Sequence, residues 1–110
     1  MELQKEYESG EPIRAKVALQ KKIEATKLAR AEDISDFWKL QSLAFNLTRL
    51  AMIEEYLGGE DRAGPLKMEA LKNIKKWLVR GKREMIEYDE LLQSVIDADQ
   101  EFKAPWHPRK

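Results

Sequence analysis

Apolar residues along this chain recur at spacings of three and four rather than two, so the pattern predicts helices throughout. The clearest stripe is Phe37, Leu40, Ala44, Leu47 and Ala51, widened by Leu43, Leu50, Ile53 and Leu57. It reads as the central, most buried helix, with Phe37 and Trp38 in its core-facing side. Asp33 and Asp36 stand three apart ahead of it, the spacing of a capping box with aspartate in place of the usual glutamate. Gly58-Gly59 ends it, because glycine takes the left-handed conformation after a helix without a Cβ penalty. Upstream, Pro12 is placed to open a helix running to about Ala31, where its missing N–H costs nothing. That helix is weakly amphipathic: Ile13, Val17 and Leu28 fall on one side, Leu19 and Ile23 on another, and Ala15, Ala18, Ala25 and Ala29 on a third.

After a polar turn from Glu60 to Gly64, Pro65 is expected to open a third helical region. Within it Leu71, Ile74, Leu78, Gly81, Met85, Tyr88, Leu92, Val95, Asp99 and Phe102 keep one unbroken three-four spacing. Because the phase passes through Gly81 undisturbed, the preferred reading is one continuous helix over about 65–102. A hairpin bent at Arg80-Gly81-Lys82 is the alternative. Pro105 and Pro108 forbid regular helix beyond it, so 103–110 reads as an extended tail and 1–11 as a flexible lead-in. The predicted fold class is all-α: one domain over 1–110, a small bundle of three long helices, or four if the last bends at Gly81.

Charge changes this picture through its distribution rather than its total. Twenty basic and twenty acidic residues cancel, which removes any global field steering the molecule toward nucleic acid or an anionic membrane. Yet Lys67 to Arg83 holds seven basic residues and one acidic, while Glu84 to Glu101 holds seven acidic and none basic. Along one continuous helix this polarity opposes the macrodipole, which favours acids first and bases last. It suits antiparallel pairing instead, between two copies or within a hairpin. A helix of about 38 residues is roughly 57 Å long, against about 35 Å for a compact domain of this size. A continuous helix would therefore project and expose its stripe, which predicts an antiparallel homo-oligomer, most simply a homodimer. The expected self-association seam is Leu71, Ile74, Leu78, Gly81, Met85, Tyr88, Leu92, Val95 and Phe102.

The remaining chemistry narrows the function classes. There is no cysteine, hence no disulfide framework or thiol nucleophile, and no apolar run reaches the roughly 18 residues of a membrane span. The first ten residues are polar and acidic, unlike a secretory signal. A cytoplasmic, soluble protein without membrane contact is expected. Lys72, Lys76, Arg80 and Arg83 lie on one helix face beside Trp77, so a nucleic-acid-binding or regulatory role ranks second. A third reading takes Glu54, Glu55, Glu87, Glu90 and Asp97 as the facing acids of a magnesium-dependent nucleotide pyrophosphohydrolase. Gly58 stands where that arrangement needs a glutamate, and no resemblance follows. His107 is the only histidine, flanked by Trp106 and Pro108, and the nucleophile-elbow, phosphate-loop and dinucleotide signatures do not occur. No catalytic residue, cofactor or metal ligand is assigned. Trp106, with Arg109, is the candidate contact for a partner, since tryptophan is enriched where binding energy concentrates. The expectation is a non-enzymatic helical interaction, adaptor or assembly protein that self-associates and binds another protein.

Overall fold

The computed structural model describes residues 11–30, 36–80 and 87–99, without the side chains of 36, 79 and 80. They form four helices: α1 Pro12–Leu28, α2 Asp36–Tyr56, α3 Glu60–Arg80 and α4 Tyr88–Ala98. The fold is all-α, with four helices among the described residues. Its longest dimension is 34 Å, well short of a 57 Å rod.

Pro12 opens α1 as expected, with Glu11 extended ahead of it and accepting the Ala15 N–H at 2.9 Å. The helix stops at Leu28, three residues earlier than its composition predicts. Lys39 of α2 explains this, because its Nζ donates to the carbonyls of Lys27 at 3.0 Å and Ala29 at 3.2 Å. A cation on orphan carbonyls satisfies the end of a helix that lacks a glycine cap.

The turn from α2 to α3 carries the hydrogen bonds of a Schellman motif. The Gly58 N–H reaches the Glu55 carbonyl at 3.0 Å and the Gly59 N–H reaches that of Glu54 at 2.6 Å, with Gly58 at φ +83°. Gly59 then starts the next helix directly, its carbonyl accepting from the N–H groups of Arg62 and Ala63, each at 3.0 Å. Helix α3 therefore begins at Glu60, not at Pro65. Glu60 and Asp61 occupy its first turn, where acids suit the dipole, and Pro65 is carried on the exposed side.

Helices α2 and α3 make the principal antiparallel pair; α1 packs along α2, and α4 lies against both α2 and α3. The shared core joins Ala15, Leu19 and Ile23 of α1, Leu43, Ala44, Leu47, Leu50, Met52 and Ile53 of α2, Ala70, Ile74 and Leu78 of α3, and Leu91 and Val95 of α4.

The continuous helix over 65–102 does not form. Glu87 is extended at φ −86°, ψ 161°, and α4 starts anew after it. Part of each charge block has a local cause: Arg80 closes the last turn of α3, and Asp89 and Glu90 stand in the first turn of α4, where the dipole stabilises them by about 0.3–1 kcal/mol each. Asp97 and Asp99, at the C-terminal end of α4, stand where it does not.

Candidate interaction surface

The sides of α1 are distinguished by what lies beneath them. Ala15, Leu19, Ile23 and Thr26 are buried against α2, the Thr26 hydroxyl donating to the Lys22 carbonyl at 2.7 Å. The alanine side is divided, with Ala15 in the core and Ala25 exposed. Ile13, Val17 and Leu28 face outward, with exposures of 59%, 43% and 80%. At about 100° per residue these three share an arc of roughly 60°, opposite the buried side. Glu24 lies on the same arc, and Lys21 follows Val17 by one turn.

Two ion pairs hold α1 in this orientation. Lys16 Nζ meets Glu54 Oε1 at 2.6 Å, and Lys27 Nζ meets Glu69 Oε1 of α3 at 3.0 Å. Glu54 is only 2% exposed and also accepts from Arg62 Nε, so one buried carboxylate ties α1, α2 and α3 together. Burial pushes its pKa up, but hydrogen bonds from Lys16 and Arg62, and their charges, leave it below the ordinary glutamate value. A Cβ at Gly59 would sit 2.8 Å from Glu54 Oε2 and closer still to the Arg62 guanidinium, so a side chain there would have to displace Arg62 from the cluster.

These contacts account for the acids that suggested a metal site. Glu54 is a structural hub, Glu55 pairs with Lys67 at 2.5 Å, and Glu87, Glu90 and Asp97 are exposed along α4. Among the described residues no three acidic or histidine side chains converge as a metal would require.

The described members of the predicted self-association seam lie within the bundle. Ile74, Leu78 and Val95 are buried in the core, and Leu71, Tyr88 and Leu92 are packed against it. Leu91, outside the predicted seam, is fully buried. Gly81, Met85 and Phe102 fall outside the described residues, as do Trp106, Arg109 and Arg83. At the C-cap of α4, Asp99 takes both an Nε and an Nη2 hydrogen bond from Arg49, at 3.2 and 2.9 Å, and Arg49 Nη1 also donates to Asn46 Oδ1 at 2.8 Å. At the other end Lys67 lies over the Tyr88 ring, 5.4 Å from its centroid. The Tyr88 hydroxyl is buried without a hydrogen bond among the described residues. Burial first, and the Glu55 carboxylate second, hold its pKa above the usual tyrosine range.

Of the basic face, Lys72 and Lys76 are exposed on α3, which also carries Arg80. The apolar pattern places Trp38 in the core, but it is 57% exposed. Phe37 is the half-buried member of the pair: its ring meets Trp38 edge-on at 5.5 Å and Trp77 at 5.1 Å. Trp38 is one residue, about 100°, further around the helix than Phe37, enough to carry it out of the interior.

Comparison with protein-family models, characterised proteins and solved structures returns no match. Among the described residues no helix is long and apolar enough to cross a membrane.

Proposed function

We propose that this protein is a non-enzymatic helical interaction module that binds another protein across the outer face of α1. The observation carrying this reading is the exposed stripe of Ile13, Val17 and Leu28 on a helix whose opposite side is anchored in the core and tied by Glu54 and Glu69. A rigid helix presenting apolar side chains binds without first losing the entropy of ordering them. Cross-linking in the native cell tests it, comparing the wild-type chain with Val17→Glu and Leu28→Glu. The expected result is a discrete partner captured by the wild type and lost from both variants at unchanged thermal stability. Retention of the same partner by both variants would refute the α1 face.

Self-association rests on a projecting seam and on a charge polarity that one continuous helix would not favour. In the folded chain the described seam residues pack in or against the core. A dimer through that seam would need the bundle to open, and a light-scattering mass near twice 12.9 kDa would restore that reading. Nucleic-acid binding is the second reading, favoured by exposed Lys72 and Lys76 with no carboxylate at ion-pair distance among the described residues. It predicts affinity for single-stranded DNA that falls steeply with salt; no binding at low salt removes it.

A further inference from the structure

Four exposed residues follow one another along the outer side of α1: Val17, Lys21, Glu24 and Leu28, spaced four, three and four. With Ile13 they share an arc of about 80° at roughly 100° per residue, opposite the side buried on α2. Lys16 and Lys27, nearer the bundle, are engaged by Glu54 and Glu69. Lys21 and Glu24 have no ion-pair partner among the described residues, not even each other.

The order apolar, cation, anion, apolar becomes its own complement when reversed. Two such helices laid antiparallel about a two-fold axis midway between Lys22 and Ile23 bring Val17 opposite Leu28 and Lys21 opposite Glu24, each pair occurring twice. Other arrangements lose the match. In a parallel pair Lys21 faces Lys21 and Glu24 faces Glu24, which repels. Shifting the antiparallel pair by one turn sets Val17 against Glu24 in one direction and Leu28 against Lys21 in the other. Because the ridge lies opposite the buried side of α1, two copies meet there with their bundles on the outside.

We infer that the outer face of α1 is a self-complementary docking surface, and that its occupant is α1 of a second copy of this chain. This rests on the reading of α1 as a docking face and names what covers it. It uses none of the predicted seam residues, and the bundle stays closed. The paired stretch from Val17 to Leu28 is only about 17 Å long, and Ile13 lies beyond it. That is too short to supply the roughly 800 Å² per partner of a standard stable interface, so the dimer is weak, concentration-dependent and further weakened by salt.

The test is sedimentation of the full chain at low salt up to about 1 mM, where even a millimolar dissociation constant populates the dimer. A mass rising toward twice 12.9 kDa is expected. Lys21→Glu sets carboxylates against carboxylates and Glu24→Lys sets cations against cations, so each variant alone should associate about tenfold or more weakly. In an equimolar mixture of the two variants every introduced charge meets its opposite, and a heterodimer should form as tightly as the wild-type dimer. The double variant Lys21→Glu/Glu24→Lys should recover the homodimer for the same reason. Both positions are exposed, and unchanged thermal stability is the control for folding. A wild-type chain that stays monomeric overturns the inference; if Val17→Glu and Leu28→Glu still lose a cross-linked partner in the cell, the docking face stands and belongs to a different protein. A dimer indifferent to both single variants overturns it by placing the contact elsewhere, and a mixture that stays monomeric overturns the antiparallel pairing on which it depends.

Discussion

Removing Lys16 isolates what the buried charge cluster contributes. In Lys16→Met the methylene stem keeps its packing, but Glu54, 2% exposed, loses the ammonium 2.6 Å from Oε1 and retains only Arg62, whose side chain lies largely in water. Deleting one partner of a buried ion pair typically costs about 3–5 kcal/mol. Since Arg62 still supplies one charge-assisted hydrogen bond, the lower end is reduced further, to about 2 kcal/mol. For a domain of this size that lowers Tm by roughly 8–10 °C. The companion variant Lys16→Met/Glu54→Leu removes the stranded charge as well and should recover to within about 1 kcal/mol of wild type, because exposed Arg62 turns to solvent. Urea unfolding at several pH values is the assay. The folded pKa of Glu54 lies below its ordinary value of 4.5, so its contribution is complete above about pH 4.5 and disappears as pH falls through the folded value. The stability gap between wild type and Lys16→Met should therefore be widest at neutral pH and close in acid. A Lys16→Met protein as stable as wild type at pH 7, or a double variant no better than the single, would refute the assignment of Glu54 as the hub joining three helices.

Other substitutions test separate parts of the fold. Gly58→Ala places a Cβ at φ +83° and should cost about 1 kcal/mol in chemical denaturation, while Gly59→Ala should cost more by displacing Arg62 from Glu54. Leu47→Ala, at the centre of the core, should lose about 2–5 kcal/mol; a smaller loss would mean that α2 is not the central helix. Tyr88→Phe removes a buried hydroxyl without a hydrogen bond and should leave stability unchanged or raised by up to about 1 kcal/mol. Arg49→Ala should release the C-terminal end of α4, seen as faster hydrogen exchange at residues 95–99 with little change in α1.

Much of the architecture is legible in the chain itself. The three-four spacing determines that the elements are helices, Pro12 marks the start of α1, and Gly58-Gly59 marks the end of α2, because these depend on local backbone chemistry that the residues carry with them. Periodicity alone leaves the division of 65–102 open, since a three-four pattern reads the same through a break that preserves phase. Hydrogen bonds to Gly59 set the start of α3, and packing of Leu91 and Val95 against the core sets α4 apart. The tertiary structure alone decides which side of α1 faces water. Its three apolar sides are nearly equivalent in sequence, and the choice falls to the neighbours: Glu54 and Glu69 capture Lys16 and Lys27, Lys39 caps the last turn, and Ile13, Val17 and Leu28 are thereby turned outward. Pattern records how far apart residues stand along the chain, whereas burial depends on what another segment brings to meet them.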